Sequence, residues 1–279
     1  MKRADKKRIR KSIIIFAAVI LFFALWTAWS EVPFTAHLSV DLQKADQGEV
    51  RIALLTDLHS CYYGKNQKNL LRRIEKENPD FIILGGDIFD DVLDDKNSKI
   101  TVEALVAKYP CYYVTGNHEY WSEHVDETKR YLKGVGVSVL AGDCETIEIS
   151  GLKLDVCGVD DPTRMLKADW ENQVKEAFDK TEEDHIKILA SHRPECVDVY
   201  EKYDFDLVLS GHAHSGQIRI PFLNKGLYSP NQGFMAEYVN GLYPLSNGCT
   251  LVVSRGLARE STPAPRFFNH PEVLILTIH

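Results

Sequence analysis

Residues 50–59 read VRIALLTDLH, an apolar run of strand length that ends on an aspartate and a histidine. Four later runs also have the length and composition of strands. These are Phe81–Leu84, Tyr112–Thr115, Ile186–Ala190 and Leu207–Leu209. Segments with helix-like spacing lie between the runs that begin at residues 50, 81 and 112, and a further one follows the third of these runs. They are Asn66–Asn78, Ile100–Lys108 and Trp121–Leu132. The alternation of strands and helices predicts an α/β fold with a mostly parallel or mixed sheet and helices packed on it.

The remaining segments complete this prediction. Residues 31–49 are predicted to be a tether and a lead-in strand. Later strands are predicted at Gln217–Ile220, Thr250–Ser254 and Val273–Ile278. Because no Pro-rich or Ser-rich linker divides residues 50–279, this part is predicted to be one domain.

The net charge of the 279-residue chain is −7, and it is unevenly distributed. The first 11 residues carry +6 and residues 12–30 carry no charge, so the rest of the chain carries −13. Nucleic acids are bound by clustered Lys and Arg. We therefore expect no nucleic-acid partner. The ordinary hydrophobic and charged fractions, 44% and 26%, also exclude a disordered or collagen-like chain.

The N-terminus has the pattern of a membrane anchor. A basic cluster precedes the uncharged stretch Ile13–Trp29, which is 17 residues long. A bilayer-spanning helix needs about 17–25 apolar residues, whereas the core of a cleaved signal peptide usually has about 7–15. We predict an uncleaved signal anchor over residues 1–30, with a cleaved signal as the second interpretation and a buried core helix as the third. Since basic flanks stay inside, residues 31–279 are expected outside the cytoplasm.

Six cysteines are present without a C-x-x-C pair, which disfavours a thiolate zinc site. Ser150-Gly151 is typical of a two-residue hairpin turn. In that register Cys144 faces Cys157 and Glu148 faces Lys153. A disulfide between these two cysteines is one interpretation, and six free thiols is the other.

Five short blocks carry the chemistry, and each follows or ends a strand-like run. They are Asp57-Leu58-His59, Gly86-Asp87-Ile88-Phe89-Asp90, Gly116-Asn117-His118-Glu119, Ser191-His192 and Gly211-His212-Ala213-His214. Ligands of open α/β sheets bind outside the carboxyl ends of the strands. Imidazole and carboxylate groups suit Zn, Fe, Mn or Ni, and there are more of them here than one ion can use. We expect a metal site in which Asp-x-His and His-x-His follow the alternation of an extended strand end.

In this order the blocks resemble the calcineurin-like metallophosphoesterase superfamily, whose pattern is D-x-H, G-D-x-x-D, G-N-H-E, a lone His and G-H-x-H. The resemblance runs from about Val50 to the C-terminus. It implies a four-layer α/β/β/α sandwich, preceded here by one transmembrane helix, with a dinuclear metal site at the carboxyl ends of the strands. The anchor, the size, and the strings GHAHSGQ (211–217) and SRGL (254–257) are similar to the bacterial branch of membrane-bound phosphodiesterases. That branch includes UDP-diacylglucosamine pyrophosphatase-like enzymes and cell-wall-associated phosphoesterases.

The resemblance also implies a role for each residue of the site. One divalent ion (Mn, Fe or Zn) would be held by Asp57, His59 and His214. The second would be held by Asn117, His192 and His212, and Asp87 would bridge both. His118 would donate a proton, and Asp90 would orient its ring. Two ions at such a spacing activate a water as hydroxide, orient the phosphate and neutralise charge on the attacking and leaving oxygens.

One departure from the superfamily pattern bears on the substrate. The phosphoprotein phosphatases continue G-D-x-x-D with Arg-Gly, and that Arg grips a dianionic phosphate. Asp91 stands at this position here, so a dianion would be repelled. This favours a phosphodiester or pyrophosphate substrate, cell-envelope or lipid-linked, over a phosphomonoester. A broad phosphomonoesterase and an inactive metal-binding surface protein remain the alternatives.

Overall fold

Two six-stranded sheets packed face to face form the body of the protein, and helices cover both outer faces. The computed structural model describes residues 3–45, 48–219, 225–259 and 265–279. This is the predicted four-layer α/β/β/α sandwich. The helices are α1 (Arg3–Trp29), α2 (Lys68–Glu77), α3 (Lys96–Val106), α4 (Asn117–Trp121), α5 (Val125–Val135), α6 (Lys167–Phe178) and α7 (Val197–Tyr200). The strands are β1 (Phe34–Val40), β2 (Val50–Leu55), β3 (Phe81–Gly85), β4 (Cys111–Val114), β5 (Ser138–Val139), β6 (Asp143–Ile149), β7 (Leu152–Gly158), β8 (Ile186–Ala190), β9 (Leu207–Ser210), β10 (Tyr228–Ser229), β11 (Gly233–Phe234), β12 (Gly241–Pro244), β13 (Thr250–Val253) and β14 (Glu272–Ile278).

The first sheet has the order β1-β14-β2-β3-β4-β5, and the second has the order β12-β13-β9-β8-β7-β6. In the first sheet, β2, β3 and β4 run parallel, and β14 runs antiparallel to β2. In the second sheet, β7, β8, β9 and β13 run parallel. The loops that follow β2, β3, β4, β8 and β9 therefore lie at one edge of the sandwich, which we call the carboxyl edge.

Alternate residues of the central strands enter different cores. Ile52 and Leu54 of β2 face the second sheet, whereas Ala53 and Leu55 face the helical layer of α2, α3 and α5. Strands buried on both faces are continuous apolar runs rather than alternating ones. This burial explains why the run at residues 50–55 is continuously hydrophobic apart from Arg51.

Most predicted elements occur within a few residues of their expected positions, and two predictions were wrong in part. The predicted helix Trp121–Leu132 is divided, because Trp121 ends α4 and Glu123 adopts φ of 65° before α5 begins. The predicted strand Gln217–Ile220 is not formed over its described residues. Left-handed backbone at Gln217 interrupts it, Arg219 makes an isolated bridge to Gly226, and Ile220 lies outside the described residues.

Helix α1 contains a 19-residue stretch, Ile9–Thr27, that is long and apolar enough to cross a membrane. Its side chains are largely exposed, so the helix is not packed into the core of the body. Length and composition of this kind occur both in membrane anchors and in signal sequences.

The hairpin of β6 and β7 has the predicted register. Cys144 lies opposite Cys157 and Glu148 lies opposite Lys153. Ser150 and Gly151 form the turn, with φ of 53° and 79°, the left-handed values that a primed turn requires. Cys144 and Cys157 form a disulfide, whereas Cys61, Cys111, Cys196 and Cys249 keep their thiols.

This pairing predicts the thiol count of the protein. Four thiols should react with a maleimide in denaturant without reductant, and six should react after reduction. Closing a loop of this length contributes about 3 kcal/mol, so reduction should also lower the unfolding temperature. Six reactive thiols before reduction would contradict the pairing.

Candidate metal centre

The polar blocks that follow the strands meet at the carboxyl edge. Asp57 and His59 follow β2, Asp87 follows β3, and Asn117 begins α4 directly after β4. His192 follows β8, and His212 and His214 follow β9. All seven of these predicted ligands are buried. Both sheets contribute to the cluster, since the loops of β8 and β9 lie across from those of β2, β3 and β4.

Left-handed backbone, rather than an extended strand end, aims most of these side chains. Asp57, His59 and Asp87 have φ of 53°, 47° and 52°, and His212 and His214 have φ of 63° and 45°. The expectation that the Asp-x-His and His-x-His spacing reflects strand alternation was therefore wrong. Residues other than glycine rarely adopt this backbone, and functional sites are where such strain is usually retained.

Two glycines leave the room that the carboxylates occupy. A Cβ atom on Gly116 would overlap the carboxylate of Asp87, and a Cβ atom on Gly256 would overlap that of Asp57. Gly256 also has φ of 72°, in the left-handed region. The SRGL string thus contributes to the site through its glycine. Its Arg255 instead lies 3.1 Å from Glu272, so this arginine is paired with an acid.

The described residues include four groups of potential ligands whose atoms lie within 4.8 Å of one another. Two of these groups adjoin, and they are Asp57, His59 and His214, and Asp87, His192 and His212. The other two are His59, Asp87 and His118, and Asp90, Asp91 and His118. Asp87 joins the two adjoining groups, because its Oδ2 lies 3.1 Å from His192 Nε2 and 3.7 Å from His59 Nε2. The structure thus places six of the seven predicted ligands in two adjoining groups, with Asp87 between them.

The unpaired atoms of this cluster fit metal ions. Each of the seven residues has one buried side-chain atom without a hydrogen-bond partner among the described residues. These atoms are Asp57 Oδ2, His59 Nε2, Asp87 Oδ2, Asn117 Oδ1, His192 Nε2, His212 Nδ1 and His214 Nδ1. Leaving a buried polar atom unpaired costs about 1–3 kcal/mol, so such atoms are rare in folded proteins. Oxygen and imidazole nitrogen donors converging in this way suit divalent ions.

Hydrogen bonds on the far side of the rings orient three of the histidines. His59 Nδ1 lies 2.9 Å from Asp90 Oδ1, and His192 Nδ1 donates to the carbonyl of Gly85 at 2.8 Å. His212 Nε2 lies 2.9 Å from Asn231 Oδ1 and 2.8 Å from Arg193 Nη1. In each case the remaining ring nitrogen has no hydrogen-bond partner among the described residues. For His59 and His192, such contacts fix the tautomer that presents a lone pair to a metal.

Burial and charge set the protonation of the cluster. Burial lowers the pKa of His214 to about 3, and it also lowers the pKa of His212 well below its usual value. Burial would lower the pKa of His192 too, but the carboxylates of Asp87 and Asp57 raise it to about 10. Burial alone would raise the pKa of Asp87, yet His192, His59 and His118 hold it well below its usual value. The carboxylates of Asp57 and Asp87 therefore favour a positively charged neighbour, which can be an imidazolium or a metal ion.

Glu119 holds two of the ligand loops together. Its carboxylate is buried and accepts backbone N–H groups of Asp87 (3.0 Å), Ile88 (2.8 Å), Phe89 (3.0 Å) and Gly116 (2.7 Å). Burial and the charge of Asp87 raise the pKa of Glu119, whereas the N–H groups of Phe89 and Gly116 lower it. The carboxylate thereby fixes the loop after β3 against the loop after β4.

His118 lies beside the metal ligands with its ring partly exposed. Its Nδ1 is 2.6 Å from Asp91 Oδ1 and 3.3 Å from Asp90 Oδ1. Asp90, predicted to orient His118, is closer to His59 and also accepts the backbone N–H groups of Val92 and Leu93. Burial would lower the pKa of His118, but the two aspartates and Asp87 raise it to about 9.

A cavity of about 980 Å³ opens beside the cluster. Its polar wall includes Asp87, Asn117 and His118, and its apolar wall includes Trp121 and Tyr228. Arg193 also lines it, but two nitrogens of its guanidinium are bonded to the carboxylate of Asp161. Further polar wall residues are Thr163, Glu195, His212, His214, Gln217 and Asn231.

Sequence reasoning missed the roles of Glu119, Asp91 and Asn231. Glu119 is the last residue of the G-N-H-E block, and its place among the polar blocks was the available signal for a carboxylate that accepts backbone N–H groups. Asp91 was interpreted only as a repelling charge. Asn231 lies 17 residues beyond the last predicted ligand, and nothing in its surroundings in the sequence distinguishes it.

The chain is similar in sequence to known proteins. A family model described as calcineurin-like phosphoesterase matches residues 50–216. An uncharacterized metallophosphoesterase of Campylobacter jejuni is 31% identical over 95% of this chain and 68% of its own length. Another, of Helicobacter pylori, is 28% identical over 96% of this chain and 72% of its own length. A bovine transmembrane protein with a metallophosphoesterase domain is 25% identical over 94% of this chain and 61% of its own length.

Replacing Glu119 tests whether its carboxylate holds the loop after β3 against the loop after β4. In a Glu119→Gln variant the amide would face two of the four backbone N–H groups, which should destabilise the fold by about 2–4 kcal/mol. Bound Mn²⁺ should fall with it, because the loops of Asp87 and Asn117 lose their common acceptor. Urea unfolding and the metal content of the purified protein measure both effects. Glu127→Gln, on the exposed face of α5, is the matched control. Wild-type stability and metal content in Glu119→Gln would contradict this role.

Proposed function

Because this chain belongs to the calcineurin-like phosphoesterase family, whose members hydrolyse phosphoesters with divalent metal ions, we propose that it is a phosphodiesterase or pyrophosphatase with two ions at the carboxyl edge. Seven unpaired buried atoms carry this proposal, six of them in the two adjoining groups and the seventh on Asn117. A surface histidine or aspartate is ordinarily solvated, whereas here seven such atoms are buried and converge.

The residues divide between the two ions as follows. Asp57, His59 and His214 would hold one ion, Asn117, His192 and His212 would hold the other, and Asp87 would contact both. The donor set accepts Mn, Fe or Zn. When bound, the pair of ions supplies an activated water and neutralises charge on the phosphate.

His118 is the proposed proton donor. Its Nδ1 is engaged by Asp91 and Asp90, so Nε2 is the nitrogen left for a substrate in the cavity that His118 lines. From there it would protonate the leaving oxygen as the phosphorus–oxygen bond breaks. Asp91 and Asp90 stabilise the imidazolium that gives up this proton. They act through His118 and are therefore proposed as positioning residues.

The charge of the cavity favours an ester with one negative charge per phosphorus. Arg193 is the one Lys or Arg among the described residues that line it, and Asp161 already pairs with this arginine. A phosphomonoester dianion would therefore find no unpaired Lys or Arg side chain in that lining, and only the imidazolium of His118 would face it. Asp91 and Glu195 add negative charge nearby. A phosphodiester or pyrophosphate requires less neutralisation, which agrees with the departure from Arg at position 91.

The proposed substrate is lipid-linked or part of the cell envelope. Trp121, Pro162, Tyr228 and Pro230 give the cavity an apolar wall that suits a large apolar or aromatic ester group. Residues 1–30 would form a basic cytoplasmic tail and an uncleaved anchor, residues 31–49 a tether and lead-in strand, and residues 50–279 an extracytoplasmic catalytic domain. The length of α1 and the disulfide of Cys144 and Cys157 support this placement. The membrane-bound bacterial branch is the proposed subfamily.

Hydrolysis of bis-p-nitrophenyl phosphate tests the proposed reaction. Mn²⁺ should support turnover of this diester by the full chain, and EDTA should abolish it. His118→Ala should lower turnover by about 100-fold or more while metal content stays unchanged, since this histidine donates a proton and binds no ion. His124→Ala, on an exposed side chain, is the matched control.

The monoester p-nitrophenyl phosphate, run in parallel, decides the substrate class. A preference for the monoester would overturn the diester proposal and leave a phosphomonoesterase. Stoichiometric metal without turnover of either ester, or of a lipid pyrophosphate, would support the metal-binding protein instead.

Asp91 has its own test. If it orients His118, Asp91→Asn should lower diester turnover by about 10-fold with metal content unchanged. Asp94→Asn, a few residues along the same exposed turn, should leave turnover unaffected. If Asp91 acts only by repelling anions, Asp91→Asn would instead raise monoester turnover and leave diester turnover as it is. Steady-state rates for both esters separate these outcomes.

A further inference from the structure

The strongly exposed apolar side chains of the body all lie at the carboxyl edge. Six of them, which we call the apolar rim, are Tyr62, Val92, Trp121, Leu166, Tyr228 and Phe234. Val92 and Phe234 are exposed by 82% and 76%. Among the residues that the structure describes, the opposite edge has no large apolar side chain of comparable exposure. Soluble surfaces rarely concentrate apolar groups in this way, and such patches mark interaction sites.

Helix α1 ends at this same edge. Strand β1 starts at Phe34, whose register partner is Glu272, the first residue of β14. Strand β14 runs antiparallel to β2, so its first residues lie where β2 ends and delivers Asp57. Four residues separate α1 from β1, and they span at most about 14 Å. The apolar helix and the candidate metal centre are therefore close together.

Direct contacts fix the end of α1 to the loop before β14. Phe268 donates its backbone N–H to Thr27 Oγ1 at 2.9 Å, and the rings of Trp26 and His270 are 5.1 Å apart. Between them in the chain, Asn269 donates to the carbonyl of the predicted ligand His214 at 2.7 Å. One short segment thus contacts both the helix and a ligand loop.

The hairpin of β10 and β11 continues from this segment. Arg219 N donates to Phe267 O at 3.0 Å, and Leu227 N donates to Ile218 O at 2.8 Å. Met235 N in turn donates to Leu227 O. The hairpin thus presents Tyr228 and Phe234 of the rim, together with exposed Leu227 and Met235, next to the end of α1.

The other side of the helix exit is basic. Asn69 of α2 donates to the carbonyl of Glu31, just after α1. Lys65, Lys68 and Arg72 are exposed around it. Basic groups beside apolar and aromatic ones are the composition of surfaces that bind anionic lipid.

We propose that the apolar rim lies against the bilayer that holds α1, with the β10–β11 hairpin in the interfacial region. This inference rests on the proposed membrane insertion of α1. The occupant is a lipid surface because the short link places any bilayer around α1 next to the rim. Trp121 and Tyr228 belong both to the rim and to the cavity wall, so the cavity opens toward lipid headgroups. A phosphoester carried by an amphiphile would then reach His118 without leaving the bilayer.

Depth measurements on the full chain test this arrangement. The chain is reconstituted in nanodiscs of phosphatidylcholine and phosphatidylglycerol, with an environment-sensitive fluorophore carried by an unnatural amino acid at position 234. Position 16, within α1, is the positive control, and position 153, on exposed Lys153 at the opposite edge, is the negative control. Brominated lipids should quench positions 16 and 234 roughly two-fold or more beyond position 153.

Each other outcome overturns the inference in a distinguishable way. Quenching at position 16 with position 234 equal to position 153 would leave the anchor intact and remove the rim from the bilayer. Protection of position 234 from aqueous iodide without quenching by brominated lipid would place a protein partner or a second copy on the hairpin. Absence of quenching at position 16 would overturn the anchor as well. Hydrolysis of the soluble diester on the same samples reports separately on the metal centre.

A second variant avoids the fluorophore. Phe234→Ser should lower turnover of a phosphodiester embedded in vesicles by roughly three-fold or more, because the hairpin loses its most exposed apolar anchor. Turnover of bis-p-nitrophenyl phosphate should not change, since Phe234 does not line the cavity. Lys153→Ser should change neither rate. An equal effect of Phe234→Ser on both substrates, or none on either, would contradict the inference.

Discussion

The carboxylate of Glu119 is the interaction on which the candidate centre depends. Four backbone N–H groups from two loops converge on its two oxygens. An N–H group bonded to a buried carboxylate is held more tightly than one bonded to a neutral carbonyl. Because the four donors flank Asp87 and Asn117, the positions of these two residues follow from one buried charge. Asp87 in turn accepts the backbone N–H of His118, so this histidine, the proposed proton donor, is placed relative to the same carboxylate.

The centre accumulates features that oppose folding. Five of the seven predicted ligands adopt left-handed backbone, and seven buried polar atoms lack partners among the described residues. Strain of this kind costs about 1–3 kcal/mol at each position. The three apolar cores of the sandwich can support it, because the centre lies at the edge where the strands end and interrupts none of them. Divalent ions would supply partners for the unpaired atoms, and the neighbouring histidines lower the pKa of Asp87.

The fold and the convergence of the polar blocks at one edge could be predicted from sequence because both depend on local patterns. Continuous apolar runs identify strands buried on both faces, and the five polar blocks mark where those strands end. Backbone conformation at Asp57 or His212 could not be predicted, since a loop adopts left-handed φ only when tertiary contacts impose it. The contact of Asn231 with the site could not be predicted for a related reason. Its contact with His212 depends on the return of a loop after the last ligand, and no periodic pattern encodes that return.

The direction of β14 determines at which edge of the sandwich an N-terminal helix emerges in this fold. Strand β14 lies between β1 and β2, parallel to the first and antiparallel to the second. With this arrangement β1 must begin where β2 ends, so a helix that immediately precedes β1 emerges at the carboxyl edge. If β14 ran parallel to β2 and stayed parallel to β1, the helix would emerge at the opposite edge. The candidate centre would then lie a further strand length away, about 20 Å for six residues. That distance exceeds the thickness of one interfacial layer, so the proposed anchor would then hold the site in water rather than at the proposed position beside the headgroups.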